Sequence, residues 1–173
     1  WIGTTNGLNQ INIKTGQTKR FYSGKSNFVK GDTITSVLVF KDSLYVGTTK
    51  GMGIYKNTLN KKNTEIEKKL NREHIVGLFE IKETGSIAAI LKNKVVIFKN
   101  SKVIKEINTG TTFRKVTNLQ TGQYVLTSKE HKAGLFLTVE DSDLKHREIE
   151  TPIKPTALLI DKEGGVWMVG DEG

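Results

Sequence analysis

The chain has 173 residues, enough for one ordinary domain, and carries 27 lysines and arginines against 18 acidic residues, a formal charge of +9. It has no cysteine, which excludes a disulfide framework and any thiolate metal site and leaves the redox compartment open. No apolar run approaches the roughly 18 residues of a membrane helix, and no charged-then-apolar leader is present. The positive balance raises nucleic acid, anionic polysaccharide or a membrane surface as partners, and it equally describes lysine-rich solvated loops. Lysine far outnumbers arginine, the residue suited to bidentate base or phosphate recognition, so no nucleic-acid contact is expected of this segment.

The chain opens on Trp1-Ile-Gly-Thr-Thr-Asn-Gly-Leu8. The pattern returns as Leu44-Tyr-Val-Gly-Thr-Thr-Lys-Gly-Met52 and again as Val166-Trp-Met-Val-Gly-Asp-Glu-Gly173. Taking the aromatic or apolar head of each second strand gives Trp1, Tyr45, Ile87, Tyr124 and Trp167, at intervals of 44, 42, 37 and 43 residues. A period of about 40 to 45 with short alternating apolar runs is the signature of a four-stranded propeller blade.

The strands follow in order. After the opening hairpin, Ile34 to Phe40 reads as an innermost strand, Leu44 to Thr48 as the second and Gly53 to Lys56 as the third. Thr64-Glu-Ile-Glu67 looks like a capping box, and Ile66 and Leu70 have helical spacing. An outer strand over Ile66 to Leu70 is nevertheless preferred, because every other unit needs one in that place. The next unit runs through Ile75 to Ile81, Ser86 to Leu91, Lys94 to Phe98 and Val103 to Ile107. The following one runs through Phe113 to Leu119, Tyr124 to Thr127, Gly134 to Val139 and Lys145 to Ile149. Ala157 to Asp161 starts another. The expectation is an all-β propeller segment of about four blades' worth: a partial blade over 1–22, blades over 34–70, 75–108 and 113–150, and a partial blade over 157–173. Cut out of phase in this way, it reads as a piece of a larger propeller. Asn6-Gly7 predicts a tight hairpin with both residues at positive φ, and Gly3 and Gly47 predict close approach between blades.

Catalytic motifs fail on spacing. Gly24-Lys-Ser26 resembles the end of a phosphate-binding loop, but Lys19 stands where that loop needs glycine. His74, His131 and His146 are scattered without metal-ligand spacing, and Asp141-Ser-Asp143 lacks the glycine and glutamate of a calcium loop. No catalytic residue, metal site or cofactor is expected. Propeller ligands usually meet the loops between blades and the second-to-third-strand turns. Here those loops carry Lys25, Lys50, Arg72, His74, Lys92, Lys94, Lys129, His131, Lys132 and Lys154. The opposite face balances its lysines with Glu83, Glu140, Asp141, Asp143, Asp161 and Glu163. The basic excess therefore leans toward the presumed ligand face, as an acidic sugar would require; ordinary solvated loop lysines read the same way. Aromatic platforms on that face are few, chiefly Tyr22 and Phe28.

Trp1-Ile-Gly-Thr-Thr-Asn-Gly-Leu-Asn9, with Ile13-Lys-Thr-Gly16, Phe21-Tyr22 and Asp161-Lys-Glu-Gly-Gly-Val-Trp167, resembles the two-component regulator propeller repeat. The likeness weakens in the middle, where Ala88-Ala-Ile90 replaces the Gly-Thr step and Val125-Leu-Thr127 keeps only the threonine. The resemblance implies a seven-bladed propeller in the periplasmic sensor region of a Bacteroides-type hybrid histidine kinase. It also implies an oligosaccharide ligand, homodimerisation of the parent, and signalling domains beyond these blades. Two other classes fit the repeat: an interaction propeller at the cell surface, such as a secretion accessory, and a propeller lyase, which would need a clustered acid and base.

Overall fold

A computed structural model describes residues 1–22, 31, 33–56, 60–62, 64–109, 113–120, 122–128, 133–140, 143–161, 163 and 165–170. Its strands form consecutive antiparallel meanders, each strand pairing with its neighbour in sequence. The first sheet holds β1 (Ile2–Thr4), β2 (Gly7–Ile11) and β3 (Thr18–Phe21). The second holds β4 (Ile34–Phe40), β5 (Ser43–Thr48), β6 (Gly51–Lys56) and β7 (Asn60–Lys62), followed by the helix α1 (Glu65–Lys69). The third holds β8 (Ile75–Ile81), β9 (Ser86–Leu91), β10 (Lys94–Lys99) and β11 (Lys102–Asn108). The fourth holds β12 (Phe113–Gln120), β13 (Gln123–Ser128), β14 (Ala133–Glu140) and β15 (Asp143–Glu150). A pair, β16 (Pro155–Ile160) and β17 (Val166–Gly170), ends the series. The inner strands lie side by side, β4 against β8, β8 against β12 and β12 against β16, with β1 against β4.

The core lies between sheets. Leu8 and Phe21 of the first sheet meet Ile34, Leu44, Val46 and Tyr55 of the second. Met52, Ile54, Ile66 and Leu70 of the second meet Ile87, Ala89, Val96 and Phe98 of the third. Ala88, Ile90, Val95 and Ile97 of the third meet Tyr124, Leu126, Leu135 and Leu137 of the fourth. Each sheet thus presents alternate residues of one strand to the sheet before it and the sheet after it, as the two-residue strand period dictates.

The glycines of the repeat act at these seams. A β-carbon on Gly3 would stand 2.5 Å from Ile34 Cγ2, and one on Gly47 would stand 2.7 Å from Ile75 Cγ2. In both places the first residue of the next inner strand fills the space a side chain would take. All four inner strands also carry a register shift just after that first residue, at Ile34/Ser36, Ile75/Gly77, Phe113/Lys115 and Pro155/Ala157. One extra residue there sharpens the local twist, which suits sheets that radiate from one another.

Three expectations need correction. Ile66 to Leu70 lies in a helical turn rather than an outer strand, and the outer strand is β7. Thr64 and Glu67 form a complete capping box, and Ile66 and Leu70 are both fully buried, so the local helix signal prevailed over the demand of the repeat. Asn6 is not at positive φ; the two-residue turn is Thr5-Asn6, and Gly7, at φ 107°, pairs with Thr4. Tyr124 is not the counterpart of Tyr45. It pairs with Asn118 as Leu44 pairs with Val39, one residue earlier in the pattern, and so points to the preceding sheet. The true counterpart of Tyr45 in the third sheet is Ala88, which pairs with Phe79 as Tyr45 pairs with Leu38. The third-to-fourth seam therefore draws aromatic rings from both sheets, with Tyr124 packed 5.1 Å from Phe79.

Candidate functional site

The threonines of the repeat build one end of the sheets. Thr48 Oγ1 accepts the Lys50 N–H at 3.0 Å and donates to the Gly51 carbonyl at 2.9 Å. Thr4 does the same with the Asn6 N–H at 3.2 Å and the Gly7 carbonyl at 2.9 Å. Each short turn is thereby locked from within, and Lys50 is held out from a rigid hairpin.

The loop between the second and third sheets is set by α1. Glu67, 1 % exposed, accepts from the Thr64 N–H at 2.9 Å and, through its other oxygen, from the Ile54 N–H of β6 at 3.0 Å. One buried carboxylate thus caps the helix and ties it to the sheet. Leu70 closes the helix, and Arg72 follows at φ 67°, a left-handed backbone uncommon for a residue with a β-carbon. The Arg72 N–H donates to the Lys50 carbonyl at 3.2 Å, which joins the loop to the hairpin. Glu73 then reaches across to β10, its Oε1 3.0 Å from Lys94 Nζ. His74, half-buried, leads into β8.

Six of the ten basic candidates fall among the described residues. Lys50, Arg72, His74 and Lys94 gather around residues 71–74. Lys92, exposed, sits in the neighbouring β9–β10 turn, whose Asn93 carbonyl accepts the Thr109 N–H at 2.8 Å. Lys154, exposed, stands two inter-sheet loops away, just before β16. Lys25, Lys129, His131 and Lys132 lie outside the described residues. The patch also contains an acid that the sequence reading did not place there, Glu73. Its only sequence signal is its position beside Arg72. The arrangement groups cations at one loop, with Lys94 engaged by the Glu73 carboxylate.

At the other end of the sheets the acids do structural work. Glu83 accepts from the Gly122 N–H at 2.6 Å and from the Tyr124 hydroxyl at 3.0 Å, bridging the third and fourth sheets. Burial pushes its carboxyl up, but hydrogen bonds from its own backbone, Tyr124 and Gly122 outweigh that and hold it below the usual carboxylate range. Burial, with the Glu83 carboxylate beside it, pushes the Tyr124 phenol up to about 12. Asp161 accepts from the Gly165 N–H at 2.6 Å and from Trp167 Nε1 at 2.8 Å, so the acidic, glycine-rich approach to Trp167 is a locked turn. His146 is exposed on β15, on a different sheet from His74. Among the described residues, no cluster of three or more potential ligands is placed to hold a metal ion. No helix among them is long and apolar enough to cross a membrane.

No family model matches the sequence, and no curated protein sequence matches it. Solved structures do match. The extracellular domain of a Bacteroides (B. thetaiotaomicron) protein described as the hybrid two component system BT4673 superposes with a TM-score of 0.73 at 14 % identity, over 97 % of this chain and 24 % of that one. The corresponding domain of BT3049, from the same organism, gives 0.70 at 16 % identity over 100 % of this chain and 26 % of that one. An inactive H270A virginiamycin B lyase from Staphylococcus aureus gives 0.66 at 17 % identity over 95 % of this chain and 56 % of that one. The chain spans about a quarter of the length of the two extracellular domains. With the radiating meanders and seam-filling aromatics described above, these likenesses make the fold that of β-propeller blades.

Proposed function

We propose that this chain is a ligand-sensing propeller segment from the extracytoplasmic, periplasmic part of a two-component sensor, without catalysis of its own. The observation that carries the reading is the shared fold along essentially the whole chain with extracellular domains of two hybrid two-component systems. The internal repeat supports it, because the Trp1 to Leu8 and Leu44 to Met52 copies are the segments that resemble regulator propellers. The proposed ligand is an oligosaccharide with acidic groups, met by Lys50, Arg72, His74 and Lys94. Lys94 would exchange its Glu73 carboxylate for one on the ligand, and the resulting shift of the 71–74 loop would be felt at the seam through α1. In the parent, the signal would pass by repacking of propellers in a homodimer to a kinase beyond these blades.

The test is a thermal-shift and calorimetric screen against a panel of neutral and acidic glycan fragments. Binding of an acidic fragment that weakens in Arg72→Gln is the expected result. No binding by any fragment would refute the sensing role, and turnover of a fragment would favour a lyase.

A further inference from the structure

The other end of the sheets holds a groove that the loop-face reading does not use. It opens between the second and third sheets, at the β4–β5 and β10–β11 turns, with a volume of about 340 Å³. That is at the lower end of the roughly 300–1,000 Å³ typical of small-ligand sites, enough for a single ring. Its apolar wall is Phe40, Tyr45 and Phe98, and its rim carries Lys41, Lys56 and Lys99. Phe98 is buried at the base, while Phe40 and Tyr45 are half-buried and keep ring surface open. Phe40 and Tyr45 meet edge to face, with centroids 6.4 Å apart, and Tyr45 lies 6.1 Å from Phe98. The rim is held in place as well: Lys99 Nζ donates to the Thr84 carbonyl at 2.8 Å, and Lys41 Nζ sits 5.3 Å from the centre of the Phe40 ring.

A second observation converges on the same place. Among the described residues four non-glycines have positive φ: Lys41, Arg72, Asn100 and Ser101. Three of them, Lys41 at 51°, Asn100 at 49° and Ser101 at 67°, line this groove. Lys41 sits in the two-residue β4–β5 turn and Asn100 and Ser101 form the two-residue β10–β11 turn, where positive φ is the hairpin geometry that sets these residues at the mouth of the groove. The fold does not dictate an opening here. In the corresponding place between the third and fourth sheets, Glu83 bridges to Tyr124 and Gly122 across the seam.

We infer that this groove is a binding site for a ring-bearing anion, a six-membered ring carrying one carboxylate or sulfate. The ring packs into the angle between the half-buried rings of Phe40 and Tyr45. The charge meets the lysine rim, where ammonium groups act as compact point charges and impose no bidentate geometry. Asp42, also on the rim, disfavours a second negative charge on the ligand. The groove is independent of the proposed site at Lys50 and Arg72, which is at the opposite end of the strands.

The experiment is isothermal titration of the chain with glucuronate, glucose 6-sulfate, benzoate, glucose and acetate. Each is repeated on Lys41→Asn/Lys56→Gln, chosen because asparagine tolerates the left-handed backbone at 41. Circular dichroism and urea midpoints check that the variant is folded, and Lys14→Gln, an exposed lysine away from both proposed sites, controls for the loss of positive charge. At least one ring anion binds roughly tenfold tighter than both glucose and acetate, and the double variant loses roughly tenfold while Lys14→Gln does not. Glucuronate against glucose 6-sulfate separates a carboxylate from a sulfate preference. The inference is overturned if no ring anion binds, if glucose or acetate binds equally well, or if the folded double variant binds unchanged.

Discussion

Replacing Gly47 with alanine tests how the blades pack. The new β-carbon would lie 2.7 Å from Ile75 Cγ2 and 3.2 Å from Ile75 Cβ. Ile75 is fully buried in the seam between the second and third sheets and cannot swing into solvent. Overpacking of a tight core costs about 1–3 kcal/mol. Gly47 has no positive φ, so alanine meets no backbone penalty, and restricting the unfolded chain returns about 0.4–1 kcal/mol. The net expectation is a loss of about 0.5–2 kcal/mol, read from urea unfolding midpoints. The cause is tested by a double-mutant cycle with Ile75→Leu, which removes the branched methyl group and itself costs under about 1.5 kcal/mol. On that background the alanine should cost close to nothing, giving a coupling of about 1 kcal/mol. Two results would show that contact with Ile75 is not what the glycine avoids: a Gly47→Ala variant as stable as the parent, or one whose cost is unchanged in the Ile75→Leu background.

Other expectations follow from the same seams. Glu67→Ala removes the carboxylate half of the α1 capping box and leaves the Ile54 N–H buried without its acceptor; we expect a loss of about 2–3 kcal/mol by denaturant unfolding, with Glu67→Gln costing less. The Tyr124 phenol is pushed up to about 12, above the ordinary tyrosine value. A raised pKa contributes stability that is intact below about pH 10 and is lost as pH climbs toward the folded value, so alkaline unfolding should set in across that window. A 295 nm titration should show late-ionising phenols, since burial raises Tyr45 and Tyr55 as well, and Tyr124→Phe should remove one phenol's amplitude from that late phase. The lowered Glu83 carboxyl has the opposite sign: its contribution is present at neutral pH and is lost as acid protonates it, and Tyr124→Phe should flatten that acid dependence.

The repeat is legible in its first two copies because its residues act there at seams and turns. Gly3 and Gly47 make room for Ile34 and Ile75, and Thr4 and Thr48 lock their turns. Tyr124 matches Tyr45 in residue type but not in register. A one-residue slip on a strand reverses the face, so an aromatic that looked like a displaced Tyr45 belongs to the opposite side of its sheet. Helix α1 is visible in Thr64, Glu67, Ile66 and Leu70, and only strict repetition argues against it. Three residues of β7 satisfied the outer-strand requirement earlier in the chain. The shared bulge of the inner strands left no mark in the sequence, because it sits at residues as different as Thr35, Val76 and Arg114. The loops that carry the candidate residues follow from the strand order alone. The pairing of Lys94 with Glu73 does not, because it joins side chains 21 residues apart, one in the loop before the third sheet and one on its third strand.

Recognition of an acidic glycan by the loop face around Arg72 is tested most directly by calorimetric titration. An acidic oligosaccharide and its neutral counterpart are titrated into the chain and into Lys50→Gln/Arg72→Gln. We predict that the acidic ligand binds, that the neutral one binds at least roughly tenfold more weakly, and that the double variant abolishes the difference. Equal affinity for both ligands, or an acidic ligand whose affinity survives the double variant, would contradict recognition by this face.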